Sequence, residues 1–295
     1  MSNELSGGTQ LLIATERGQS LAELMGVSEK SSKPAGPSLA RVNVVSTALK
    51  GEIDVAGKKL KTDVVPVGAY KITHGDDVFY ATNVDIRIFA QRQQWQRWNS
   101  ATNEMEKSVM ATNLNGDMQD SVGGFNLGRP SGYIEDFNAL PEKTKDIIRT
   151  VKRVKIFMGL LSVDNPMDEA GQPLTSMQFQ DVPFVMDVKN RDSLKSIDGA
   201  LTLLQRKNLL PIMSTLVMGG EEASIPTGAT YGVSTAKVGT TVELSDADNE
   251  TLKDFLGFIE YNNGKVMDLH HDRSDTSLSA EDAALVGSII DVDAE

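Results

Sequence analysis

The sequence predicts a mainly β fold with additional helices. Runs such as VNVVSTA, VFYATNVDIRIFA and VKRVKIFMGLLSV are rich in Val, Ile and Phe, and the longer two alternate with a period of two. Gly- and Asp-containing turns such as VAGKK and THGDD punctuate them, while helical spacing is confined to a few segments. With 295 residues, 40% of them hydrophobic, the chain is long enough to bury a proper core.

Residues 1–40 are expected to form a flexible N-terminal arm, because SEKSSKPAGPS combines Ser, Lys, Pro and Gly as open linkers do. A β-rich body with inserted helices is expected over residues 41–265. It opens with VNVVSTA, TDVVPVGAYKI and VFYATNVDIRIFA. In the last of these, Val84, Ile86 and Ile88 share one face, and Asp85, Arg87 and Phe89 the other. QRQQWQRWNS follows, and then an irregular insertion over residues 100–140 that is rich in Asn, Gly, Ser and Asp. PEKTKDIIRT predicts a short helix with Pro141 in its first turn. The strand VKRVKIFMGLLSV repeats the earlier pattern, with Val154, Ile156, Met158 and Leu160 on one side and Arg153, Lys155 and Phe157 on the other. DVPFVMDV, PIMSTLVM and ATYGVSTAKV complete the strands. Between them, Leu194, Ile197, Leu201 and Leu204 form one stripe of an amphipathic helix. A second such helix carries Leu252, Phe255, Leu256 and Ile259 and is expected to stop near Asn263-Gly264. Residues 266–295 read as an acidic, mobile C-terminal tail with one short helix opened by Ser279.

Composition excludes several chemistries. Cys is absent, which removes disulfides, thiolate nucleophiles and Cys-based metal sites. The three His sit in turn or tail sequence without metal-ligand spacing, and no GxSxG or GK[ST] motif occurs. Adjacent strands show no inward-facing Asp or Glu pair of the kind a Mg²⁺-dependent nuclease needs. The expectation is therefore a protein without catalytic residues, metal or cofactor. No apolar run is long enough to span a bilayer and the first residues lack export features, so the cytoplasm is the expected compartment.

The net charge of −12 is unevenly distributed. Residues 241–295 carry 3 basic and 14 acidic side chains, whereas residues 41–160 carry 17 basic and 14 acidic ones. That mildly basic stretch holds both tryptophans, Trp95 and Trp98, flanked by Arg92 and Arg97. Indole faces accept bases by stacking, worth roughly 1–3 kcal/mol per base, and guanidinium groups hold phosphates. The same rings could instead plug the rim of a core. Arg87 with Phe89, and Arg153 and Lys155 with Phe157, are expected to give neighbouring strands a shared basic and aromatic outer face. GGFNLGRPSGYI would present Arg129 and Tyr133 from a tight loop whose glycines admit a ligand closely. A polyanionic tail would compete with nucleic acid for such a groove and meet partner proteins once displaced.

In this arrangement the chain resembles the single-stranded-DNA-binding proteins of tailed bacteriophages. The stretch from about Val78 to Val163, with QRQQWQRWNS, GRPSGYI and VKRVKIFMGLLSV, is similar to replication-module proteins of marine phages. The resemblance implies an OB-like β-barrel core and sequence-nonspecific binding of single-stranded DNA in phage replication or recombination. It implies contacts with replication proteins through the tail, a place in the host cytoplasm, no membrane, and leaves homo-oligomerisation open. This chain departs from the pattern at its end, DVDAE, where such tails often finish in an aromatic or apolar residue. The alternative is a phage structural or assembly protein that uses the Trp-containing segment as a subunit contact.

Overall fold

The longest alternation in the sequence becomes the longest strand, Val84–Asn99, and the rest of the sheet assembles on it. The computed structural model describes residues 38–55, 58–175 and 179–290. Most of the expected arm, residues 1–37, and residues 291–295 of the expected tail lie outside the described residues. Among the described residues the strands are β1 (Ala40–Val44), β2 (Leu49–Val55), β3 (Lys58–Val65), β4 (Tyr70–His74), β5 (Asp77–Ala81), β6 (Val84–Asn99), β7 (Glu104–Lys107), β8 (Lys152–Val163), β9 (Phe179–Val188), β10 (Ser214–Ser224) and β11 (Thr230–Thr241). The helices are α1 (Glu142–Thr150), α2 (Arg191–Arg206) and α3 (Asp246–Ile290).

The fold is mainly β, as expected. One large mixed sheet has the order β11-β10-β6-β8-β9-β1-β4-β5, with β7 beside β6, and β2–β3 forms a separate hairpin. All pairs are antiparallel except β1 with β9. β8 bonds β6 from Asp85 to Gln96, while the other edge of β6 is taken by β10 near Val84 and by β7 near Asn99. QRQQWQRWNS is therefore mostly strand rather than a segment following one. Its buried amides make that affordable: Gln94 Nε2 donates to the Ser108 carbonyl at 2.6 Å and Gln96 Nε2 to Gln94 Oε1 at 2.9 Å. TDVVPVGAYKI and VFYATNVDIRIFA, each expected as one strand, are broken at residues 66–69 and 82–83.

The sheet is covered on both faces. On the inner face, Tyr70, Ile72, Phe79, Ile86, Ile88, Phe157 and Phe184 pack with Ile197, Ala200 and Leu204 of α2. Asn190 caps α2 by accepting from the N–H groups of Asp192 and Ser193. On the outer face, Val154, Ile156, Met158 and Val185 meet Phe255 and Ile259 of α3. Burying both faces is why β8 reads as a nearly continuous apolar run.

α3 corrects two expectations. It does not stop at Asn263-Gly264, because the Asn263 side chain accepts from the Met110 N–H at 2.7 Å and donates to the Met110 carbonyl at 3.0 Å. That anchorage offsets the cost of about 1 kcal/mol for a glycine inside a helix. Nor does a detached tail begin at residue 266: Val266 and His270 are buried and Arg273 donates to the Ser121 carbonyl. The expected boundary falls inside a packed helix.

The sheet curls on its inner face. Tyr70 of β4 donates its hydroxyl to the Gly219 carbonyl of β10 at 2.6 Å, although four strands separate β4 and β10 in the sheet order. Burial pushes the Tyr70 phenol up to about 12. The approach is so close that a Cβ on Gly220 would sit 1.8 Å from the Gly68 carbonyl oxygen, so only glycine fits. Among the described residues the ladder still runs open from β11 to β5 and does not close.

Candidate nucleic-acid interface

The register of β6 against β8 decides which side chains share a face. Trp95 pairs with Arg153, Gln93 with Lys155 and Gln91 with Phe157, and all six point to the inner side. The ladder then slips between Ile88 and Ala90, where Phe89 is the extra residue of a bulge. Gly159 makes the bulge possible, since a Cβ there would lie 1.8 Å from the Arg87 carbonyl oxygen. The slip resets the alternation, so Arg87 and Phe89 face outward under α3. The expected basic and aromatic face shared by Arg87, Phe89, Arg153, Lys155 and Phe157 is thus divided between opposite sides of the sheet.

On the outer side, Arg87 lies over the Phe89 ring, its Nη2 is 3.0 Å from Asp248 Oδ1, and it donates twice to the Ile212 carbonyl. Phe89 itself packs on Phe255 with ring centroids 5.8 Å apart. Burial alone would raise the Asp248 carboxyl. The Ser245 N–H, Arg87 and the Ser245 hydroxyl outweigh it and hold Asp248 below the usual carboxylate range. Arg87 and Phe89 are consequently structural. Phe157 is too, at 0% exposure in the inner core.

The inner side of the β6–β8 arm does gather an aromatic and basic cluster. Arg129 stacks its guanidinium 4.8 Å from the Trp95 ring centroid and donates to the Ile148 carbonyl of α1 at 3.1 Å. Burial lowers the Arg129 pKa. Arg153, directly across the ladder from Trp95, is exposed and joins no ion pair among the described residues. Lys155 lies over the Phe157 ring and is bound to Asp198 of α2. Trp95 Nε1 is buried and finds no acceptor among the described residues.

The remaining expected residues are scattered around this cluster. Arg97 is held by Glu106 at 2.6 Å and by the Leu127 carbonyl at 3.3 Å. Arg92 points to the outer side, opposite Ile156, and donates to the Gln91 carbonyl. Trp98 is 54% exposed and faces Met105 across the β6–β7 ladder. Tyr133 is 90% exposed.

Sequence reasoning missed the residue that builds the loop. Asp120 is fully buried, and its carboxylate accepts from the N–H groups of Val122, Gly124 and Leu127 at 3.0, 3.0 and 2.7 Å. It thereby holds Asn126 and Leu127 in the left-handed region, at φ 53° and 55°, three and two residues before Arg129. An Asp ahead of a Gly-Gly turn was the available signal. The glycine turn itself admits α3 rather than a ligand: Ser274 donates to the Gly123 carbonyl, and the His270 Nδ1 is 3.2 Å from the Asp120 carbonyl. No helix among the described residues is long and apolar enough to cross a membrane. Comparison with family models, curated proteins and solved structures finds no match to this chain.

Proposed function

We propose that this protein binds single-stranded DNA with little sequence preference, without catalysis, in phage replication or recombination within the host cytoplasm. The observation that carries the reading is the Trp95–Arg153 ladder pair with Arg129 stacked on the same indole. One ring and two guanidinium groups on one face supply base stacking and phosphate contacts together. Lys155 borders this face, and Trp98 near the end of its strand and Tyr133 in its loop are exposed rings. An OB-like barrel belongs to the same proposal, supported by the inward curl that Tyr70 spans. So does competition by the acidic end of α3, whose displacement would free it for replication proteins.

Oligo-dT titration of the tryptophan fluorescence tests this. Quenching should be strong at low salt, and the logarithm of affinity should fall with the logarithm of salt by about 0.7 per phosphate contacted. Trp95→Ala and Trp98→Ala should each cost about 1–3 kcal/mol of binding where the ring stacks on a base. A second reading, a phage structural or assembly protein, is favoured by the exposed Trp98–Met105 pair as a subunit contact. Absent quenching together with large oligomers in sedimentation would select it.

A further inference from the structure

The six basic residues between positions 161 and 240 are Lys189, Arg191, Lys195, Arg206, Lys207 and Lys237, and all six are exposed. The first five lie on α2 or beside its ends, and the sixth lies on β11. α2 and β11 enclose an open groove of about 850 Å³ walled by Lys195, Arg206 and Lys237. No ion pair engages these three among the described residues. The one acidic side chain in the groove, Asp192, accepts the Tyr231 hydroxyl at 3.0 Å. Space is kept open by Gly199, above which no atom lies within 4 Å of where a Cβ would be.

This groove is not isolated from the Trp95 face. Asp198, on the flank of α2 toward β8, binds Lys155, which is the ladder neighbour of Gln93 on the inner side. An anionic chain leaving Trp95 and Arg153 therefore meets Lys155 and then the exposed ridge of α2. Lys195 and Arg206 stand about 16 Å apart along that ridge at 1.5 Å per residue, a span of several phosphates. A protein of net charge −12 in which three cations around one open groove have no ion pair among the described residues is equipped for a polyanion there.

We infer that the α2–β11 groove is a second phosphate-binding subsite for the same DNA strand, contributing electrostatic grip without stacking; this rests on the proposed DNA binding. The full-length triple variant Lys195→Gln/Arg206→Gln/Lys237→Gln should bind oligo-dT with a salt slope shallower by about 2, from about 0.7 per lost contact. Its site size should shrink, and its fluorescence quenching at saturation should stay that of the wild type. Should the triple variant melt early, the pair Lys195→Gln/Lys237→Gln should still lower the slope by about 1.4. An unchanged slope and site size, with Arg153→Gln lowering the slope in the same assay, would overturn the subsite and leave the proposed function standing. No oligo-dT binding by the wild type would remove both. Polyglutamate binding that is lost in the triple variant while DNA binding is unaltered would assign the groove to an acidic protein partner and overturn the inference.

Discussion

At the scale of single residues, Asp120 carries more of the candidate site than any residue the sequence singles out. One buried carboxylate orders the turn that delivers Arg129 to Trp95. Asp120→Asn preserves size but offers an N–H₂ where a backbone N–H needs an acceptor. Leaving a buried donor unsatisfied costs about 1–3 kcal/mol, so the urea midpoint should drop accordingly, with a change in the near-ultraviolet signal of Trp95. An unaltered midpoint would show that the carboxylate is dispensable. The inward Val84, Ile86 and Ile88 were legible because burial enforces alternation. The bulge at Phe89 was not, because a single extra residue leaves the local pattern of apolar and polar letters untouched while reversing every side chain beyond it. Gly159, alone in the middle of a strand-like run, is the trace it leaves in the sequence.

At the scale of elements, α2 was legible from its stripe, and its Leu194, Ile197, Leu201 and Leu204 all contribute to the inner core. The extent of α3 was not. Asn263-Gly264 is a strong stop signal in isolation, and contacts distant in sequence override it, among them the backbone of Met110, 153 positions away. Asn263→Ala should therefore strand an N–H and a carbonyl at Met110. We expect a loss of about 2 kcal/mol and faster hydrogen exchange at Met110, while amides of β6 facing β8 remain protected. Equal protection in the variant would mean that the helix is held without this clasp. β6 shows the converse case, since its second half is polar and still belongs to the sheet. Paired glutamines satisfy one another and let a strand of Gln and Arg stay inside.

At the scale of the whole molecule, α3 is joined to the outer side of the sheet by one deeply buried ion pair. Arg87 is locked under α3 with Asp248, their side chains only 11% and 8% exposed. Removing one partner of so buried a pair costs about 3–5 kcal/mol. Because the folded Asp248 carboxyl titrates below its unfolded value, the stability it confers is fully present above about pH 4 and fades as pH falls through the lowered value. Urea midpoints of the wild type and Asp248→Asn should accordingly lie far apart at pH 7 and converge in strong acid. A gap that persists undiminished at the acid end would show that the charge is not what matters.

The parallel pairing of β1 with β9 has a consequence for how the chain is made. β1 lies between β4 and β9, and its register partners on β9, Phe184 to Met186, follow it by 144 positions. At a synthesis rate of roughly 5–20 residues per second, β1 and β4 wait about 7–30 s beside an open edge before β9 leaves the ribosome. During that interval a second nascent chain competes for the same backbone groups. Slowing translation ahead of Phe179 should raise the aggregated fraction, and a chaperone that shields strand edges should lower it.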